Sequence, residues 1–363
     1  MKILIVSAYY YPDIEPRAFR TTGLVEELLK RGHTITLFIP YRDFDYTSYL
    51  EKTKIEIKYL TKKKIFPNLP EGNSFISKAI RVLFSKLIIY TQFPFIKLFY
   101  VIPLKLQSLS NYDLMISIAA PHSVHWGCAK AVSINKNLCK KWIADCGDPF
   151  MGDQTTKRPF YFKYFEVYFC KKADSITIPI ADAITSYYPD YRSKIKIIPQ
   201  GFDFSNASNF VKLRENKCPT FAYAGAFYAK YRDPTNFLEY LTLLSMDFKF
   251  KLYTGNSKLL DKYVNILGDK LEVHDYIPRE ELLQELSQMD FLINFENNGL
   301  AQSPSKLIDY ALVDRPIFLV SNENIINSDL FVEFLNGDYR NGYKIGDIDQ
   351  YKIQNVVDRF LEL

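Results

Sequence analysis

Glycine-rich phosphate loops are missing from this sequence. No G-x-G-x-x-G follows an apolar run and no G-x-x-x-x-G-K-[ST] occurs. That argues against a dinucleotide-binding dehydrogenase and a P-loop nucleotidase. Cysteine is scarce: Cys128, Cys139, Cys146, Cys170 and Cys218 are odd in number and include no C-x-x-C. Neither a disulfide framework nor a zinc site is supported, and a reducing cytoplasm is the simplest compartment. No apolar stretch reaches the roughly 20 residues of a membrane span. The greasiest region, 82 to 106, is interrupted by Lys86, Pro94 and Lys97. The opening MKILIVSAYYYP has too short an apolar run and no small-residue cleavage site for a signal peptide, and reads as a buried first strand. Net charge is only +5, too little to imply nucleic acid.

What remains is a globular composition, 48% hydrophobic and 24% charged. Its 363 residues exceed one compact core, so two domains are expected. KILIVSA is a continuous apolar run, as in a strand buried on both faces of a parallel sheet. The loop YYYPDIEPRAFRT follows, then a helix with Leu24, Val25, Leu28 and Leu29 on one face and Gly32 as its stop, then the strand TITLFIP. This βα rhythm continues through DLMISIAA, KKWIADC, SITIPI and KIKII. Residues 202–219 are polar and aperiodic, the pattern of a linker. The rhythm restarts with TFAYAGAF and runs through FKFKLYTG, LEVHDYI, DFLINFE and PIFLVS. The expected layout is 1–201, linker 202–219, 220–345, and a C-terminal helical segment 346–363. The expected fold class is α/β, with two doubly wound Rossmann-like domains.

In open parallel sheets ligands sit beyond the carboxyl ends of strands. Two such places stand out. In QSPSKLIDY, Ser303 suits an N-cap and Pro304 a first helical turn. Ser303, Ser305 and Lys306 would add hydroxyls and a cation to the free N–H groups of a helix start, a chemistry suited to a diphosphate. Asp309, one turn on, could accept both hydroxyls of a ribose. The plainer alternative is a capped helix with a solvated lysine. In AGAFYAKYRDP, Gly225 at a strand end would let a ligand approach the backbone, and Lys230 and Arg232 follow. Arg232 would be a second phosphate clamp; a solvated basic loop is the alternative.

Together these segments, with LVEELLKRGHTITLF, KWIADCGDPF, ADSITIPI and IIPQGFD, resemble family-4-type glycosyltransferases of the GT-B fold, especially the bacterial surface-polysaccharide branch. The resemblance runs nearly end to end. It implies two Rossmann-like domains facing a central cleft, the C-terminal one holding a nucleotide-sugar (UDP- or GDP-linked) and the N-terminal one the acceptor. It implies a hexosyltransferase that works with retention and without metal or other cofactor, and a C-terminal helix crossing back to the N-terminal domain. Arg232 and Lys306 match the diphosphate positions, and Asp309 the second acid of a Glu-x7-Glu motif. The first acid would fall at Ala301, so it is missing; Glu296, Asn297, Asn298 or Gln302 could replace it. Two other readings stay open, a nucleotide-sugar 2-epimerase of the same fold and a degenerate partner that binds glycan or membrane.

In the N-terminal half, Asp145 and Asp148 stand at a strand end and could orient or deprotonate an acceptor hydroxyl, or merely cap turns. Arg17 and Arg20, in the first βα loop, and His122 and His125, at a helix mouth, are the candidate acceptor contacts. The histidines lack a third ligand for a metal, and His33 and His274 read as structural. Residues 52–105 carry eleven basic residues against two acids, Glu56 and Glu71, a balance of +9, with aromatics interleaved. This suits an anionic membrane surface and a lipid-linked acceptor, hence a peripheral place on the inner face of the plasma membrane. Two helices packed on the N-terminal core, or an oligomer contact, would explain it equally.

Overall fold

A computed structural model describes residues 1–65, 74–153, 156–205, 210, 215–227, 232–255, 259–296, 305–320 and 327–363. The chain forms two compact units, Met1–Phe202 with Tyr351–Leu363, and Asp203–Gln350.

The first unit runs β1 (Lys2–Ser7), α1 (Pro16–Lys30), β2 (Thr34–Ile39), α2 (Thr47–Thr53), β3 (Glu56–Tyr59), α3 (Phe75–Thr91), α4 (Lys97–Leu106), β4 (Tyr112–Ala119), α5 (Ser123–Ile134), β5 (Cys139–Cys146), α6 (Phe162–Lys172), β6 (Ser175–Ile178) and β7 (Ile195–Ile197). Its seven strands lie in the order β3-β2-β1-β4-β5-β6-β7, all parallel. The apolar run of β1 has its physical reason here. Leu4 and Val6 enter the core on one face of the sheet, and Ile3 and Ile5 the core on the other.

Two details differ from the sequence expectation. Helix α1 begins at Pro16, not after Thr21, so Arg17 and Arg20 are helical. Proline pre-sets φ for the first turn and needs no N–H partner there. The edge strand β3 was not expected: Glu56 and Lys58 interrupt its apolar pattern, and its outer face is partly exposed.

The second unit runs β8 (Thr220–Ala224), α7 (Thr235–Thr242), β9 (Lys249–Tyr253), α8 (Asp261–Leu267), β10 (Leu271–His274), α9 (Arg279–Ser287), β11 (Phe291–Phe295), α10 (Ser305–Val313), β12 (Ile317–Val320) and α11 (Ser328–Leu335). Its five parallel strands lie in the order β10-β9-β8-β11-β12. Phe221 pairs with Phe250 and Phe291 across the neighbouring strands, with ring centroids 4.8 and 4.7 Å apart. Such stacked pairs add to the burial of their area. Tyr223, two residues on, points into the same core, so its hydroxyl reaches the carboxyl end of β8.

The last helix, α12 (Ile353–Glu362), packs on α1 of the first unit. Val356, Val357 and Phe360 are buried there, and Arg31 donates to the Gln354 carbonyl at 2.8 Å. A Cβ on Gly201 would stand 2.6 Å from Ile353 Cδ1, so the chain before the crossover needs a residue without a side chain.

Candidate functional site

The site in the second unit is built from the ends of β8 and β11 and the start of α10. Tyr310, buried in α10, accepts from the Ala224 N–H at 3.3 Å and donates to the Ile293 carbonyl at 3.0 Å. One side chain thus ties the helix to two strand ends. Lys306 precedes Tyr310 by four residues, hence one turn up the same face. Its side chain crosses the backbone of Gly225, which has φ +143°. The conformation favours glycine, and a Cβ on Gly225 would overlap Lys306 Nζ and Cε, so any side chain there would displace the lysine from this position.

Lys306 Nζ donates to Tyr223 Oη at 2.6 Å and lies 4.2 Å from that ring's centroid. Arg232 Nη1 reaches the same phenol oxygen at 3.4 Å and the Ala226 carbonyl at 3.3 Å. Tyr223 in turn donates to the Ala226 carbonyl at 3.1 Å. Two basic side chains therefore converge on one neutral oxygen, and Lys306 pairs with no carboxylate among the described residues. Burial, and then repulsion from Arg232, push the Lys306 ammonium down to about 6. The arrangement is suited to an anion, which would relieve the repulsion and restore the charge.

Beside Lys306 lies a pocket of about 190 Å³, lined by Gly225, Tyr253, Tyr276, Ile277, Asp309 and Tyr310 among others. Asp309 is half-buried, and its Oδ1 accepts from Arg279 Nε at 2.9 Å and Nη2 at 2.5 Å. Burial raises its pKa, against the pull of Arg279. Asp309 therefore has a partner already, which the sequence did not reveal. Tyr253 stacks on His274 at 5.0 Å and donates to Glu285 at 3.1 Å.

Arg232, Lys306, Gly225 and Asp309 are thus gathered at one place. Glu296 directly follows β11, its N–H bonded to the Val320 carbonyl at 3.1 Å. Asn297, Asn298, Ala301, Gln302, Ser303 and Pro304 lie outside the described residues, as does Lys230; Ser305 opens α10, but its side chain is also outside them. Tyr223 and Tyr310 were missed. Their only signal is an aromatic at a strand end, and one placed four residues after Lys306.

The first unit corrects four expectations. Asp145 is buried at 2% exposure and accepts from Arg20 Nε at 3.1 Å, Arg20 Nη2 at 2.9 Å and Thr177 Oγ1 at 2.6 Å. Burial would raise its carboxyl; Arg20 and Arg17 overcome that and hold it below the usual range. Arg20 also donates to the Pro199 carbonyl at 2.6 Å, so Arg20 and Asp145 form an internal strut between α1, β5 and the chain after β7. Neither is free to meet an acceptor. His125 is fully buried, with Nδ1 2.8 Å from Ser117 Oγ and Nε2 3.4 Å from Cys146 Sγ; burial pushes it down to about 3. His122 is buried against Phe150 and shifted the same way. Both are neutral core histidines, because α5 packs its polar first turn inward. Arg17 lies over Gly147 and donates to Gln200 at 3.3 Å. Asp148 is exposed just beyond β5.

A larger cavity of the first unit, about 780 Å³, opens elsewhere, at the carboxyl ends of β1 and β2. Tyr9, Asp13, Glu15, Tyr41, Arg42, Phe44, Lys64 and Phe95 line it. Arg42 is fixed by an ion pair with Asp13 and by the Ala8 carbonyl at 2.6 Å. Aromatic faces mixed with fixed charges are a surface on which a sugar can stack and hydrogen-bond.

No protein-family model and no curated protein matches the sequence. Solved structures do match in shape. Anabaena Alr3699/HepE in complex with UDP has a TM-score of 0.64 at 12% identity, covering 100% of this chain and 99% of that one. A glycosyltransferase from Rickettsia africae ESF-5 has 0.63 at 12% identity, covering 99% and 97%. UDP-GlcNAc 2-epimerase from Neisseria meningitidis, bound to UDP-GlcNAc, has 0.58 at 12% identity, covering 100% and 99%. At these identities the likeness is one of architecture: two Rossmann-like α/β domains of parallel sheet, as in the GT-B fold.

Proposed function

We propose that the chain is a glycosyltransferase that moves a hexosyl group from a UDP- or GDP-linked donor to a hydroxyl of a glycan or lipid-linked acceptor, in surface-polysaccharide synthesis. The carrying observation is the convergence of Lys306 and Arg232 on Tyr223 Oη. Departure of the donor's diphosphate breaks the bond between the anomeric carbon and a phosphate oxygen, which keeps the electron pair. The acceptor oxygen bonds to that carbon, and its proton passes to the departing diphosphate. Two fixed cations at the leaving group stabilise the charge that develops, without requiring a metal. Losing one such group typically costs about 3 kcal/mol of barrier. Retention of configuration is part of this reading.

The 190 Å³ pocket beside Asp309 would take the nucleoside, and the cavity around Tyr9, Tyr41 and Arg42 the acceptor sugar. Exposed Asp148 remains available to an acceptor hydroxyl. The test is thermal stabilisation by UDP and by GDP, followed by transfer from the sugar nucleotide that binds. A folded protein stabilised by neither nucleotide overturns the reading.

The likeness to the Neisseria 2-epimerase supports a second reading, isomerisation of the bound sugar without an acceptor. Product analysis with and without acceptor separates the two. A protein that binds nucleotide but yields neither product would be the degenerate partner.

A further inference from the structure

Helix α3 is anchored to the first unit by little of its own surface. Of its 17 residues only Ser77 and Phe84 are buried. Phe84 meets Phe93 edge-on at 6.4 Å, which ties α3 to the turn before α4. By contrast α4 is a packed helix, with Leu98, Ile102 and Leu106 inside the core. The helical spacing of α3 puts Ile76, Ile80, Leu83, Leu87 and Tyr90 in one stripe, at steps of four, three, four and three. All five are exposed, Leu83 by 61% and Ile76 by 70%. Phe75 widens the stripe at 86% exposure. At its far end Tyr161 bonds the Tyr90 carbonyl, which brings exposed Phe160 and Tyr164 alongside.

The charge of this segment is of one sign. From Gly72 to Tyr112 there is no acidic residue; Lys86 stands beside the stripe at helical spacing, Lys78 and Arg81 lie on the other side of α3, and Lys97 and Lys105 belong to α4. We propose that this face of α3 docks on an anionic lipid bilayer, lying in the interface plane with its apolar stripe among the acyl chains. The helix is about 25 Å long at 1.5 Å per residue, too short to span the roughly 30 Å hydrocarbon layer. An interfacial helix needs an apolar face flanked by basic side chains, which reach the headgroups while their stems stay in the apolar layer. A second copy is the poorer occupant: a symmetric contact of α3 on α3 would bring like charges together, with no carboxylate on either helix to meet them. Each basic residue near an anionic surface is worth roughly fivefold in partitioning. This inference does not depend on what the second unit binds.

The test is co-sedimentation of the full chain with phosphatidylcholine vesicles with and without phosphatidylglycerol. Strong binding to the anionic vesicles, weakened by salt, is expected. The double variant Leu83→Glu, Leu87→Glu replaces exposed side chains, so folding and nucleotide-induced stabilisation should be kept while partitioning falls at least about tenfold. Lys86→Glu, beside the stripe, should weaken binding to the anionic vesicles alone. Wild-type protein that ignores anionic vesicles, or a Leu83/Leu87 variant that binds as well as wild type, overturns the proposal. So does sedimentation showing a wild-type dimer that the variant loses, with no vesicle binding, since the face would then join two copies.

Discussion

Lys306 Nζ stands 2.6 Å from Tyr223 Oη, and Arg232 Nη1 stands 3.4 Å from the same oxygen. Burial and this neighbour leave Lys306 with a pKa of about 6. A group depressed below its unfolded value binds fewer protons in the folded state. Its stability contribution therefore rises as pH rises from about 6 towards 10.5. A bound diphosphate would reverse the shift. Calorimetry of UDP or GDP binding at neutral pH, in buffers of different ionisation enthalpy, should show proton uptake. Lys306→Met should abolish the uptake and weaken nucleotide binding about ten- to a hundredfold, the loss of a charged hydrogen bond. Its unliganded stability should not fall.

Gly225→Ala tests the close approach. The new Cβ would occupy the space of Lys306 Nζ and Cε at a φ that L residues rarely adopt. We expect a loss of about 1–3 kcal/mol in denaturant unfolding, because the backbone is strained. Nucleotide-induced stabilisation should fall with it, since the lysine must leave its position. Retained nucleotide affinity would show that Lys306 acts from another rotamer.

Asp145→Asn tests the strut. Arg20, only 2% exposed, would lose its carboxylate and stay buried with a charge. Breaking such a pair costs about 3–5 kcal/mol, so urea unfolding should shift strongly. A variant with unchanged stability and no transfer would instead give Asp145 a direct part in the chemistry.

Glu166 supplies a separate pH effect. Its carboxyl is fully buried, accepts from the Met151 N–H at 3.2 Å, and is pushed by burial up to about 7. Between its ordinary 4.5 and about 7 the folded state holds a proton that the unfolded chain has lost. This contribution to stability therefore declines as pH rises through that window. Glu166→Gln should flatten the decline, measured as thermal midpoint against pH.

The sequence alone carried the alternation of apolar runs and helical periods, because burial on both faces of a parallel sheet demands continuous apolar strands. It also carried the cations after strands, since Lys306 and Arg232 stand where parallel sheets expose ligands. Only tertiary structure decided which polar groups face inward. Arg20 and Asp145, 125 residues apart, neutralise each other inside the fold, and α5 turns His122 and His125 into the core. Packing also chose Tyr223 Oη as the meeting point of two cations, and let Arg279 claim Asp309. The basic stretch 52–105 was ambiguous for the same reason. Period alone names the stripe of α3, but only the neighbours that bury α4 and leave α3 bare show which of the two helices keeps its apolar face in solvent.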